Sequence, residues 1–285
     1  MKKLQIMLSA VLGSTLLGIG INAFAQTPRP CYATVVRVVG DVSYSLDNTK
    51  WFPLVAGKYL PPGSSIRTGD KSVADIVLGK AVNLPQAKWA PQRIGMAVDA
   101  PVRGMVSYTP SAEQNVVRLT PNTALTIDRL TTTDTGADTV GDTELNLTKG
   151  AIYASVKKLS PAAQYIVKTP TGIAGVRGTQ FSIALNPDGS IKSIEVFKTS
   201  GDDGLILAVT LANGTTQTFT IGQGMTVDFS SGTVVPIAPE ILNQLNLLFT
   251  AFRTTYFQVT GFDYDRTFIP TSSDVGNYST PPPAF

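Results

Sequence analysis

Apolar and polar residues alternate along most of the chain in short runs, and glycine, proline, asparagine and aspartate cut the runs apart. Residues 124–130, from Ala124 through Leu125 and Ile127 to Leu130, show the period of two expected of a half-buried strand. Similar runs occupy residues 34–39, 42–46, 63–68, 74–78, 165–167, 180–185, 193–197, 205–211, 216–221 and 225–229. Leu145 and Leu147, then Ile152, Tyr153 and Val156, bracket a turn at Lys149-Gly150. Asn186-Pro187-Asp188-Gly189 and Asn213-Gly214 are turn signals, the second fitting a two-residue hairpin. Strands at this spacing with no helix between them predict an all-β fold, either a sandwich or a short β-solenoid.

The rhythm breaks in four places. Residues 80–114, rich in proline, alanine and glycine and carrying Trp89, read as a long inserted excursion. Residues 131–142 read as a polar Thr/Asp/Gly loop, and Asp202-Asp203 as a turn. After a linker from residue 233, a proline at position 239 suits the first turn of a helix. Ile241, Leu242, Leu245, Leu248, Phe249 and Phe252 then fall on one helical face, which predicts one amphipathic helix over residues 239–253. Such a stripe needs a surface to cover it; the β-domain is the expected one, and a partner is the alternative. From 254 to 285 the chain is polar and aromatic and reaches Pro281-Pro282-Pro283, composition expected of an extended or disordered tail.

The N-terminus changes the compartment. Lys2 and Lys3 precede an apolar stretch over residues 4–21, and Ala23-Phe24-Ala25 offers the small residues that a signal peptidase reads. Cleavage before Gln26 makes residues 1–25 a signal peptide and residues 26–232 the all-β domain, periplasmic or secreted, with no stable membrane span after cleavage. The alternative is an uncleaved N-terminal membrane anchor, although Ser9, Gly13, Ser14, Gly18 and Gly20 dilute the stretch. Pro28-Arg29-Pro30 ahead of Cys31 does not form a lipobox.

Composition narrows the chemistry. The chain has no histidine, which removes the commonest general base and metal ligand together. Cys31 is the one cysteine, so disulfides within the chain and cysteine-rich zinc sites are excluded; pairing between chains is left open. Removing Lys2 and Lys3 lowers the formal charge from +3 to +1, and the remaining basic residues form no stripe, so nucleic acid is not an expected partner.

Residues 165–181 read YIVKTPTGIAGVRGTQF, an aromatic-led strand, a Thr169-Pro170 step, a short apolar turn containing Gly175, and then Val176-Arg177-Gly178-Thr179-x-Phe181. This resembles the hallmark of the FecR family. Val39-Gly40-Asp41-Val42, the Leu60 to Thr68 turn, the Leu119 to Leu125 step with its Thr120-Pro121-Asn122-Thr123, Leu147 to Ile152, and Ile221 to Met225 resemble its other pieces in order, over roughly residues 35–230. On the residues themselves, Pro170 ends a strand by removing a donor, Gly172, Gly175 and Gly178 permit a tight return, and Arg177 can hold turn carbonyls or a carboxylate. A phosphate-binding loop fails on spacing, since no lysine precedes Thr179.

The remaining candidates carry less. Asp134, Asp138, Asp142 and Glu144 could gather round calcium but do not keep the spacing of a known loop; a solvated acidic turn is the plainer reading. Trp51 and Trp89 could stack on a sugar or peptide, or simply belong to a core. No catalytic constellation and no cofactor or metal site emerges. Familiar FecR proteins are membrane regulators that restrain a sigma factor from the cytoplasm and sense an iron–siderophore receptor from the periplasm. Only a handful of residues precede the apolar stretch, so the sigma-regulating role is not expected to carry over. The resemblance implies a non-enzymatic sensing, scaffold or binding module for an envelope protein or ligand. The alternatives are a cell-wall or glycan-acting hydrolase and a self-assembling envelope structural protein.

Overall fold

Strands form where the alternation places them, and the computed structural model describes residues 27–79, 115–135, 139–200, 204–211 and 214–260. The leader with Ala23, Ala25 and Gln26, the 80–114 excursion with Trp89, Asp138, the Asp202-Asp203 turn, Asn213 and the tail from 261 lie outside those residues. Before the excursion come β1 (Arg29–Pro30), β2 (Tyr32–Val39), β3 (Val42–Ser45), β4 (Phe52–Pro53), β5 (Tyr59–Leu60), β6 (Ser65–Thr68) and β7 (Val73–Gly79). After it come β8 (Asn115–Leu119), β9 (Ala124–Asp134), β10 (Thr139–Lys149), β11 (Ala151–Ser155), β12 (Gln164–Thr169), β13 (Gly172–Val176) and β14 (Thr179–Leu185). β15 (Ile191–Thr199), β16 (Leu205–Thr210), β17 (Thr216–Ile221), β18 (Met225–Asp228), β19 (Thr233–Pro236) and α1 (Pro239–Thr260) complete the order.

Of the two architectures that the sequence left open, the chain adopts the sandwich. A first sheet of ten strands runs β17-β16-β13-β12-β10-β9-β6-β3-β4 with β1 beside β9, and a second of nine runs β19-β18-β15-β14-β11-β8-β7-β2-β5. Pairing is antiparallel except between β10 and β12, which run parallel because β11 leaves for the second sheet between them. Alternate side chains point inward and meet in one core: Ile66, Leu125, Ile127, Leu145, Leu147 and Val167 from the first sheet face Val35, Ile76, Leu119, Ile152, Phe181 and Ile194 from the second. β7 and β8 are paired neighbours, Leu78 opposite Asn115, so the described residues that flank positions 80–114 lie side by side at one end of the second sheet.

The structure departs from the sequence reading in several places, the first being the linker from residue 233, where Thr233–Pro236 form β19 against β18. Residues 131–142 are largely not a loop: Thr131 to Asp134 and Thr139 to Asp142 extend the β9–β10 ladder, and β1 pairs with Thr131 and Thr132. Threonine suits a half-exposed strand, and Thr131 to Thr133 are half-buried, so a polar run is no bar to pairing. The stretch Gly172 to Val176, read as an apolar turn, is strand β13, and the turn is confined to Pro170 and Thr171. The helix continues to Thr260 instead of stopping at 253, since the first residue that breaks helices after Pro239 is Gly261.

The helix lies across the outer face of the second sheet. Leu245, Phe249 and Phe252 are buried there against Val36, Val77, Val116 and Ile237, and Leu242 packs beside them. Phe249 stacks on Phe197 at 5.3 Å between centroids and meets Tyr153 edge-on at 6.1 Å. Ile241, expected in the stripe, is exposed, as is Leu247. No described helix is long and apolar enough to cross a membrane.

Candidate binding surface

The FecR-like pieces lie at corners where the chain leaves one sheet for the other. Gly150, between β10 and β11, has φ +81°, and a Cβ there would stand 2.6 Å from the Thr123 Cα. The corner is tied by threonines: Thr120 Oγ1 and Thr123 Oγ1 donate to the Ala151 carbonyl at 2.9 and 3.0 Å, and Thr68 Oγ1 donates to the Thr120 carbonyl at 2.6 Å. Thus the Leu60–Thr68, Leu119–Leu125 and Leu147–Ile152 pieces, separate in the chain, close one clasp. The hydroxyls accept as well as donate, Thr68 from the Thr123 N–H and Thr123 from the Ala151 N–H, which leaves few buried backbone groups unpaired.

Val176-Arg177-Gly178-Thr179 makes the second corner, from β13 in the first sheet to β14 in the second. Thr169 Oγ1 donates to the Gly172 carbonyl at 3.0 Å across the Pro170-Thr171 turn, and Phe181 is fully buried. Thr179 Oγ1 sits 3.0 Å from the Arg177 carbonyl and 3.2 Å from that of Gly204. Arg177 lies exposed and donates to the Pro161 carbonyl at 2.8 Å. Gly178 has φ +60°, and a Cβ would meet Ser200 Oγ at 1.9 Å and the Lys158 Cα at 3.0 Å, whereas Gly175 has room. Gly178→Ala is therefore expected to cost about 2 kcal/mol or more, from left-handed strain plus the backbone clash. Arg177→Ala should cost less, about 0.5–1.5 kcal/mol, because the guanidinium is exposed and the bond it makes to the Pro161 carbonyl is at the surface. Urea unfolding of both variants checks the order; an Arg177→Ala loss larger than that of Gly178→Ala would contradict it.

Among the described residues, α1 covers the outer face of the second sheet, and none packs over that of the first. Across it stand Ile173 on β13 and Ile206 on β16, 50% and 52% exposed, with Ala208 opposite Ile173. Next comes a charged ladder on β12, β10 and β9. Lys168 bonds Glu144 and lies 3.8 Å from Asp128, and Arg129 bonds Asp142 at 3.1 Å and lies 3.7 Å from Glu144. A bulge between Glu144 and Leu145 puts both Asp128 and Arg129 outward. The hydrogen bond to Glu144 raises the Lys168 ammonium above its ordinary pKa, and partial burial raises the Asp128 carboxyl. Asp142 and Glu144 are therefore committed to cations, Asp134 sits at the far end of β9, and the described residues hold no cluster of three groups fit for a metal.

Beyond the ladder a groove of about 290 Å³ lies over β6, β9 and β10, lined by Asn48, Trp51, Arg67, Thr126, Asn146 and Thr148. The Arg67 guanidinium stacks on Trp51 at 3.8 Å. The loop carrying Asn48 and Trp51 is held by Asp47, whose Oδ1 accepts from the Thr49 and Lys50 N–H groups at 2.9 and 3.0 Å and from Ser45 Oγ at 3.1 Å. Those bonds, first that from Lys50, keep the Asp47 carboxyl far below its usual range. A second cleft, beside Ser160 and Lys157, is only about 70 Å³. The sequence reading singled out Trp51 but missed Arg67 and the Asn146–Lys168 neighbourhood, which exist only through strand pairing.

Two packed sheets, glycine corners that pass the chain between them, one outer face sealed by a helix and the other open define a sheet-switching β-sandwich. Residues 106–200 match the family model described as FecR protein, so the chain carries a FecR-family segment. That span holds the Val176–Thr179 corner and the Thr120–Ala151 clasp; the similar pieces before residue 106 and after 200 lie outside it. No curated protein matches the chain. Two crystal structures of a provisionally assigned anti-sigma factor from Parabacteroides distasonis are similar at 12% and 14% identity, with TM-scores of 0.27 and 0.28 over 44% of this chain. The chain spans about half the length of those structures, 51%.

Proposed function

We propose that this chain is an exported, non-enzymatic FecR-domain module of the bacterial envelope, a sensing or scaffold unit that binds an envelope protein through the outer face of its first sheet. Residues 1–25 act as the signal peptide, cleavage falls between Ala25 and Gln26, and the mature protein is periplasmic or secreted. The observation that carries the binding reading is the asymmetry of the sandwich: α1 covers the outer face of the second sheet, while Ile173 and Ile206 stay half-exposed beside a charged ladder. An apolar pair rimmed by charges suits the centre and edge of a protein interface. The FecR segment supports a regulatory or sensing role without specifying the partner.

The test is capture from envelope extract by the chain beginning at Gln26. Ile206→Lys and Ile173→Lys should each weaken retention of any specific partner at least tenfold while shifting the melting temperature little, because both side chains already face solvent. Equal capture by wild type and both variants would remove this face from the reading.

A further inference from the structure

We infer that the groove over β6, β9 and β10 binds a glycan bearing a carboxylate, an inference that rests on reading the outer face of the first sheet as the binding face. Its lining is mostly polar and, among the described residues, carries no acidic side chain: Asn48, Arg67, Ser65, Thr126, Asn146 and Thr148 stand round Trp51, over Ile66, Ala124 and Leu125. All of these polar groups but Asn48 are outward-facing positions of strands whose alternate residues, Ile66, Leu125 and Leu147, are in the core, so the floor is rigid. Arg67 differs from its neighbours. Arg118 is committed to Asp75 and Arg129 to Asp142, but Arg67 makes no ion pair with a described residue and sits over the Trp51 ring, 3.8 Å from its centroid. Stacking leaves the N–H edge of a guanidinium free, and that fork fits a carboxylate.

The side chains of Asn48 and Asn146 likewise make no hydrogen bond with described residues, while Ser65 and Thr126 share one at 2.7 Å and keep lone pairs to accept others. Two uncommitted amides and three hydroxyls suit a ring of hydroxyl groups. The groove has no deep apolar pocket for a peptide side chain. At about 290 Å³ it lies at the small end of ligand sites, roomy enough for one or two sugar units. Asn48, at φ +59°, and Trp51 are presented by the loop that Asp47 ties down, so little ordering is left for binding.

Isothermal titration of the chain at low salt tests this with three probes: trigalacturonate, the N-acetylglucosamine–N-acetylmuramic acid disaccharide with its lactyl carboxylate free, and neutral galactotriose. Binding of either acidic probe at least tenfold tighter than of galactotriose is expected, and which acid binds separates a uronic-acid glycan from a wall-derived one. Arg67→Gln and Asn146→Ala should each weaken the acidic probe, Arg67→Gln at least tenfold, with melting temperatures unchanged; Arg67→Lys should recover part of the loss. Failure of both acids to bind, equal binding of galactotriose, or an unaffected Arg67→Gln would each overturn the inference. Should glycan binding fail while Ile206→Lys still abolishes protein capture, the inference falls and the proposed function stands; loss of the second effect alone has the reverse meaning.

Discussion

Phe252→Ala is expected to cost about 3–5 kcal/mol, and truncation before Pro239 more. Phe252 is fully buried, and with Leu245 and Phe249 it covers Val36, Val77 and Val116 on the second sheet. Emptying a buried phenylalanine site removes the transfer energy of the ring and leaves a cavity that the rigid sheet cannot close. Truncation uncovers the whole apolar patch, and burial of the three helix side chains is worth roughly 1.5–3 kcal/mol each before ordering entropy is set against it. The melting temperature of the point variant should fall on the order of 10 °C. The truncated chain should also bind hydrophobic dyes, since Phe197 and Tyr153 lose the ring of Phe249. A truncated chain that melts with the wild type and binds no dye would mean that the helix contributes nothing to the sandwich.

The second large effect lies beneath the same helix. Asp75 on β7 is 1% exposed and receives two bonds from Arg118 on β8, at 2.7 and 2.8 Å, with Arg37 of β2 3.8 Å away. The Arg118 guanidinium in turn lies 4.4 Å from the Phe252 ring centroid. Asp75→Ala therefore strands a largely buried cation, and the expected loss is about 3–5 kcal/mol. Replacing both partners, Asp75→Ala with Arg118→Met, should recover much of that, because no unpaired charge is left behind. Asp75→Ala and Phe252→Ala should be less than additive, since both act on Arg118. Urea unfolding of the four variants measures all of this; a loss under about 1 kcal/mol for Asp75→Ala would show that water already shields the pair.

Some of this was legible in particular residues. The stripe from Leu242 to Phe252 announces a docked helix because an isolated helix of that length is marginal in water. Gly178 announces a tight return because glycine alone takes such backbone freely, and the structure puts it at φ +60° between the sheets. Asp75 announces nothing: inside an apolar run it looks like an outward polar position. Strand pairing sets Arg118 against it, and Phe252 of α1 lies over the Arg118 guanidinium. Asp142 and Glu144 looked like an acidic turn, yet parallel pairing of β10 with β12 sets Lys168 beside Glu144.

The sequence by itself determined local matters: a period of two for strands, one amphipathic helix, glycine where the chain must turn left-handed, and the FecR resemblance of residues 165–181. These depend on neighbours within a few positions, which the order of residues specifies directly. Only the tertiary structure decided which sheet each strand joins, that residues 131–134 pair instead of looping, and which face stays open. Alternation looks the same in either sheet and on either side of a ladder, so the choice is made by how the two apolar faces and the helix stripe bury one another. The Arg67–Trp51 stack, the Asp75–Arg118 pair and the Lys168–Glu144 pair are consequences of that burial, not of any spacing along the chain.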